Sequence, residues 1–264
     1  MQPPVFSADD FGLTVSVNEA VELAHTNGVL TQASLMVAAP AAADAVRRAK
    51  GLPGLDTGLH LVLVDGDSLL GHEKLPTITM PDGKFGRDQA ALGVKYFFSP
   101  AARRELKAEI HAQFAAYAAT GLKLHHADAH KHMHLHPTVA RIMIETGKEF
   151  GLTRIRVPAE PPAILKLCGE ATSVADHALY AWSRLLRFQA RHLATTDHVF
   201  GIKWSGHMTA ARVQKLLENL PPGTAEIYFH PATKRDEALM RLMPDYDHVA
   251  EFEALICRSS HPTP

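Results

Sequence analysis

The sequence predicts an α/β fold: a barrel of about seven parallel strands, with the active site at their C-terminal ends. Three observations carry that reading. Short apolar runs of strand character alternate with helical segments about seven times along the chain, a pattern that favours parallel βα units with right-handed crossovers. The length of 264 residues suits one large α/β domain, since barrels of this size are commonly single domains. Titratable residues recur where the expected strands end, which is where such barrels gather their reactive groups.

The first strand, Val5 to Ala8, runs into Asp9-Asp10-Phe11-Gly12. Adjacent acids repel each other and are poor strand formers, so a cation or a helix-capping role is expected for them. Ser16-Val17-Asn18-Glu19 reads as a capping box for a helix with Ala20, Val21, Leu23 and Ala24 on its apolar side and a stop at Gly28. Leu30 to Ala38 is a second strand, and Pro40 to Lys50 an Ala-rich helix broken by Gly51 to Gly54. Thr57 to Val64 is a third strand. It carries His60, which needs a partner if buried and reads either as a satisfied core histidine or as a ligand.

Residues 65–100 form a long irregular segment with turn signals at Asp65-Gly66-Asp67 and Pro81-Asp82-Gly83. Segments of that length in a compact domain are usually functional or partly ordered lids. Pro100 to Thr120 is a helix with Leu106, Ile110, Phe114 and Tyr117 at helical spacing and Glu105, Lys107 and Glu109 on its wet side. Leu122 to Ala129 is a fourth strand. Pro137 opens a helix that Gly151 closes. Arg154 to Pro158 is a fifth strand, with Arg156 and Glu160 at its end. The helix Val174 to Ala194 carries Leu179, Trp182, Leu185, Leu186 and Leu193 beside Arg184, Arg187 and Arg191. It reads as a packing helix or as an amphipathic lid facing an amphiphilic substrate or anionic lipid. His198 to Trp204 is a sixth strand, Thr209 to Asn219 a helix, and Ala225 to Pro231 a seventh strand that delivers His230. Helical segments near Arg235–Met243 and Asp247–Arg258 complete the order.

Composition narrows the function classes. The formal net charge of −1 gives no general drive toward nucleic acid. The two cysteines, Cys168 and Cys257, belong to no CxxC or Cys/His spacing pattern, so a reducing compartment is expected. The first residues have neither a basic nor an apolar signal region, and no apolar run approaches the roughly 18 residues of a membrane span. The expected location is the cytoplasm, with peripheral contact at the inner membrane surface left open.

The stretch from Asp128 to Pro137 holds His130, His132, His134 and His136, with His125 and His126 just upstream. As an extended strand, Asp128 and these four histidines share one face; as a helix, they pair at i, i+4. Either way several imidazoles gather beside a carboxylate, as metal sites require. The plain alternative is a solvated, His-rich loop edge.

Four pieces of the chain, Ala8-Asp-Asp-Phe-Gly12, Gly58-Leu-His-Leu61, Asp128-Ala-His-Lys-His-Met-His134 and Phe229-His-Pro231, resemble the YdjC-like carbohydrate deacetylases, relatives of the polysaccharide deacetylases. Leu30-Thr-Gln-Ala-Ser-Leu-Met36, Gly58 to Val64 and His130 to Pro137 look most like the branch called hopanoid-biosynthesis-associated protein HpnK. The resemblance covers most of the chain. It implies an irregular (β/α) barrel of one domain that removes acetyl from an N-acetylated sugar, in this branch an N-acetylglucosaminyl lipid of the bacteriohopanetetrol type. It implies Asp10, His60 and His130 as ligands of one divalent metal ion, Asp9 as general base and His230 as general acid. Zn²⁺ suits mixed nitrogen and oxygen ligands, and Mg²⁺ or another divalent ion is compatible. Asp128, His132, His134, Arg156 and Glu160 are expected to bind substrate or support the ligands, with His132 or His134 as alternatives to His130. Segments 65–100 and 161–197 are candidate covers for the substrate. The competing readings are a deacetylase of soluble chito-oligosaccharides, a metal-dependent phosphoesterase and a non-catalytic metal-binding protein.

Overall fold

The computed structural model describes residues 3–256. Six strands, β1 (Val5–Phe11), β2 (Gln32–Leu35), β3 (Asp56–Leu61), β4 (Ala127–Ala129), β5 (His198–Phe200) and β6 (Ala225–Phe229), form one curled sheet in the order β4-β3-β2-β1-β6-β5. Every pairing is parallel. Among the described residues ten α-helices accompany them: α1 (Val15–Asn27), α2 (Ala42–Lys50), α3 (Gln89–Phe98), α4 (Pro100–Ala119), α5 (Pro137–Glu149), α6 (Pro162–Leu167), α7 (Val174–Gln189), α8 (Ala210–Glu218), α9 (Glu237–Leu242) and α10 (His248–Ile256).

The expected fifth strand is present as a connection, not as a strand. Ala127 N–H donates to Arg154 O at 3.1 Å and Arg156 N–H to Ala127 O at 3.2 Å, joining this segment to β4. On its other side Ile155 N–H reaches Ala194 O at 3.0 Å and Val199 N–H reaches Ala159 O at 3.1 Å. Residues 154–159 therefore bridge the two sheet edges, but only through isolated pairs. Pro158, Pro161 and Pro162 lack the N–H groups that a ladder needs. The sheet has six strands where about seven were expected.

Three smaller differences have local causes. Helix α1 is capped by Thr14, whose Oγ1 accepts Val17 N–H at 3.3 Å, while Ser16 lies inside the helix and donates to Asp236 Oδ2 at 2.6 Å. Residues 65–100 are more ordered than their turn signals suggest. Antiparallel bridges Asp67–Lys84 and Thr79–Phe85 fold part of the segment back on itself. Asp88 then caps α3 by accepting Ala91 N–H at 2.9 Å. Helices α6 and α7 lie within 161–197. Cys257 and the end of the expected Asp247–Arg258 helix lie outside the described residues.

Side-chain alternation divides the sheet into two chemically different faces. Phe6, Ala8, Leu35, Leu59, Leu61, Ile227 and Phe229 join the apolar core. Each of the larger side chains, fully buried, contributes about 1.5–3 kcal/mol relative to exposure. The other face, inside the curl, carries Ser7, Asp9, Gln32, Ser34, His60, His126, Asp128, Glu226 and Tyr228, all buried. Stability rests on the outer layer, which leaves the interior free to be polar. Gly58 shows how tightly that interior is filled. A Cβ there would lie 2.4 Å from the His126 ring, which hydrogen-bonds Ser34 Oγ at 3.0 Å.

Gly58→Ala should therefore destabilise the protein by about 1–3 kcal/mol through overpacking, read as a lower urea midpoint. An unchanged midpoint would mean that His126 moves aside freely.

Candidate active site

The site begins with a defect in β1. Asp9 and Asp10 are neighbours and would point to opposite faces of a regular strand. The pairing of β1 with β2 shifts register between Ala8 and Phe11, and Asp10 has φ +60°. The bulge and the left-handed residue turn both carboxylates toward the mouth of the curl. Asp is among the few residue types that accept this backbone.

Around Asp10 stand two imidazoles. His130 Nδ1 is 3.1 Å and His60 Nε2 is 3.5 Å from Asp10 Oδ1. The other nitrogen of His60, Nδ1, meets Asp128 Oδ1 at 2.7 Å, and Ser34 Oγ donates to Asp128 Oδ2 at 2.8 Å. The histidine ring is thus fixed from behind, with Nε2 turned to Asp10. Burial disfavours the imidazolium, but Asp128 and Asp10 outweigh it and push His60 up to about 10. Burial alone would raise Asp10, yet His130 and His60 hold it well below the usual carboxylate range.

Arg156 neutralises much of the remaining charge. Its NH1 is 2.7 Å from both Asp9 Oδ2 and Asp128 Oδ2, its Nε donates to Glu226 Oε1 at 2.8 Å, and its NH2 donates to Ser7 Oγ at 2.9 Å. The guanidinium carbon also lies 5.0 Å from the centre of the Tyr228 ring. Burial opposes its charge, but the three carboxylates keep it protonated well above the ordinary arginine range. Asp9 Oδ1 is left buried without a partner.

The histidine-rich stretch is neither the strand nor the α-helix that spacing suggested. It is a 3₁₀ turn, His130–Leu135, in which Lys131 and His132 take left-handed φ of 50° and 53°. The rings therefore diverge. His130 reaches Asp10. His132 Nε2 meets Tyr228 OH at 3.0 Å, His134 Nε2 meets Arg156 O at 3.0 Å, and His136 packs against the rings of Tyr96 and Phe97. Burial pushes His132 well down and His134 to about 4, so both stay neutral. Neither joins the group around Asp10.

Two expected residues stand outside the Asp10, His60 and His130 group. Glu160 accepts the N–H groups of Gly201, Ile202 and Lys203 at 2.8–3.1 Å, fixing the turn after β5. His230 follows β6. Its backbone N–H donates to Glu251 Oε2, and its Nδ1 is 3.8 Å from the same carboxylate. Ser34, Glu226, Tyr228 and Glu251 were not singled out from sequence. An acid and a tyrosine spaced by two within the apolar strand Ala225–Phe229, in phase with His230, were the available signal for Glu226 and Tyr228. Glu251 arrives from a distant helix and left none.

The donors fit a cation. One ligand atom each from Asp10, His60 and His130 lies within 4.8 Å of the others. Asp10 Oδ2 is buried and has no partner in the chain, a costly state that a cation would relieve. The carboxylate behind His60 is the usual outer support of a metal-binding imidazole. A second grouping, Asp9, His60 and Asp128, shares His60 with the first. Both of its acids already face the Arg156 guanidinium.

Comparison with known proteins gives a consistent family. A profile described as YdjC-like protein matches residues 5–260. The chain is 30% identical over 230 residues to a carbohydrate deacetylase of Geobacillus stearothermophilus, covering 86% of this chain and 78% of that one. It is 37% identical over 158 residues to a carbohydrate deacetylase of Brevibacillus brevis, covering 60% and 58%. It is 39% identical over 148 residues to one of Vibrio cholerae, covering 55% of each. The chain thus spans little more than half the length of two of these relatives. A solved structure from Enterococcus faecalis, described as a candidate for cellobiose-phosphate cleavage, superimposes with a TM-score of 0.75 at 21% identity, covering 97% of this chain and 92% of that one. That likeness is one of fold.

Two outcomes follow from the geometry. His60→Ala and His130→Ala should each abolish tight binding of Zn²⁺ in calorimetry, and Asp128→Asn should weaken it by about 10–100-fold. Because His60 in the metal-free chain keeps a proton up to about 10, uptake should release that proton, and affinity should rise with pH between about 7 and 9. Affinity flat across that range would contradict the His60 assignment. Separately, Arg156→Met should cost about 3–5 kcal/mol of stability, since it strands buried carboxylates. Adding Glu226→Gln should return part of that loss in urea unfolding.

Proposed function

The chain belongs to the YdjC-like protein family, and on that footing we propose that it is a metal-dependent carbohydrate N-deacetylase. Asp10, His60 and His130 would hold one divalent ion, with Zn²⁺ favoured by the two imidazoles and one carboxylate and Mg²⁺ as the alternative. When bound, such an ion supplies Lewis acidity to water and to a carbonyl oxygen. The observation that carries the reading is the pairing of a free, buried carboxylate oxygen with a histidine from another strand end.

Asp9 Oδ1 is buried and unpartnered while Oδ2 is held by Arg156. The carboxylate is thus locked in orientation with one oxygen open to take a proton from water. Water adds to the acetyl carbon, the C–N bond breaks, and the sugar nitrogen needs a proton to leave as an amine. His230 is the group for that step. Its Nδ1 faces Glu251, which leaves Nε2 to donate to the nitrogen. Acetate and the free amino sugar result, and the proton held by Asp9 restores the balance. Tyr228 is tied to His132 by a hydrogen bond, and its ring lies edge-on to that of His230.

We further propose that the sugar is lipid-linked, of the N-acetylglucosaminyl bacteriohopanetetrol type named by the closer resemblance. A cavity of about 730 Å³ reaches His130 and is lined by Met36, Val62, Ile78, Phe85, Leu92 and Met243, among others. Charged residues, among them Asp65, Asp67, Lys84, Arg87 and Lys131, line the rest. The apolar walls suit a hydrocarbon aglycone, and the charged side suits the sugar attached to it. Residues 65–88 supply much of this lining, consistent with a covering role for the long segment after β3. The phosphoesterase alternative needs a second ion close to the first, at a place where Arg156 already balances Asp9 and Asp128.

The test is acetate release from the N-acetylglucosaminyl lipid and from di-N-acetylchitobiose, with Zn²⁺ or Mg²⁺ restored after chelation. Asp9→Asn and His230→Gln should each lower release by about 10²–10⁴-fold while the ion remains bound. Release from chitobiose alone would keep the chemistry and move the substrate to soluble sugars. No release from either by the metal-loaded chain would reject the deacetylase.

A further inference from the structure

Two helices beside the site expose large apolar side chains. On α3 these are Val94, Phe97 and Phe98, the last 72% exposed. On α7 they are Val174, Trp182, Leu185 and Phe188, the last 65% exposed. Scattered apolar residues on a surface are ordinary, but a contiguous patch marks an interaction site. Val94, Phe97, Phe98 and Trp182 line one groove, and Leu185 and Phe188 follow Trp182 along α7 at helical spacing. A groove of about 610 Å³ runs between the helices, lined by Val94, Phe97, Phe98, Leu179 and Trp182, and it also touches Lys131 and His132 of the histidine turn. No acid lines it.

Four arginines neighbour the patch along the chain. Arg103 and Arg104 lie in the first turn of α4, directly after the Phe97–Phe98 end of α3; Arg184 precedes Leu185 on α7, and Arg191 follows the end of that helix, three residues after Phe188. None of the four forms an ion pair among the described residues. Arg191 instead stacks on the Phe188 ring, 4.8 Å from its centre. The acid within α7, Asp176, is spent on Lys203 Nζ at 2.9 Å. A face with unpaired arginines and exposed aromatic rings stands on a chain whose formal net charge is −1.

We propose that this face docks the protein onto an anionic lipid bilayer. Phe97, Phe98 and Phe188 enter the boundary between headgroups and acyl chains, and the arginines meet the anionic headgroups. A second copy of the chain is the weaker occupant, because apposing two such faces brings like-charged arginines together with no acid between them. Docking would also place the groove, and through it the His132 side of the site, at the membrane surface. That consequence rests on the lipid-linked reading of the substrate. The docking itself does not, since vesicles can be offered without substrate.

The experiment is co-sedimentation of the full chain with vesicles of phosphatidylcholine and of phosphatidylcholine mixed with phosphatidylglycerol. The chain should partition onto the mixed vesicles, and less so at high salt. Phe98→Ser with Phe188→Ser should weaken that binding by about tenfold or more, and Arg104→Gln with Arg184→Gln should remove the preference for the anionic lipid. Both double variants should release acetate from a water-soluble N-acetylated sugar as the wild type does, so a failure of the deacetylase reading would be seen separately. Absence of binding to the mixed vesicles would overturn the proposal. So would binding unaltered in both variants, or a wild-type dimer that Phe188→Ser splits.

Discussion

A single buried guanidinium governs the interior of this fold. Asp9, Asp128 and Glu226 all sit inside the curled sheet, where an uncompensated carboxylate is prohibitively costly. Arg156 reaches all three. It comes from the segment that spans the open side of the sheet, so the residue that balances the charge also draws the two edges together. Asp10 stands outside this account. It has only imidazoles beside it and one oxygen with no partner. Arg156 contacts three of the buried acids and leaves the fourth, Asp10, with an oxygen free for a cation from outside.

Backbone irregularity does the rest of the positioning. Regular strands would send Asp9 and Asp10 to opposite faces, and a regular helix would stack His130 on His134. The bulge at Asp10 and the left-handed pair Lys131–His132 instead put Asp9, Asp10 and His130 on the same mouth and send His132 and His134 to Tyr228 and Arg156. Such strained backbone persists only where surrounding contacts over-determine it. Here Lys131 is tied to Asp65, and its carbonyl accepts from Gln89 Nε2 at 2.9 Å. The segment after β3 therefore anchors the histidine turn as well as lining the cavity beside it.

Much of this was legible in the sequence, for a definite reason. Strand ends announce themselves when an apolar run stops at a charged or imidazole side chain, which is how Asp9, Asp10, His60 and His230 stood out. The parallel pairing followed from alternating strands and helices. The turn geometry did not, because six histidines in twelve residues fit strand and helix equally well, and left-handed residues carry no signature in Lys or His. The fifth strand was misjudged because apolar character was weighed above the prolines beside it. Helix α3 was hidden by its mostly apolar run and its central Gly93. Glu160 has the right strand-end position, but its carboxylate is spent on backbone amides of the next turn.

The most direct test of the account is anomalous diffraction from Zn²⁺-loaded crystals of the full chain. One peak bounded by the Asp10 carboxylate, His60 Nε2 and His130 Nδ1, with Arg156 still joined to Asp9 and Asp128, is the predicted result. A peak between Asp9 and Asp128, or two ions in the mouth of the sheet, would contradict the division of charge on which the proposed chemistry rests.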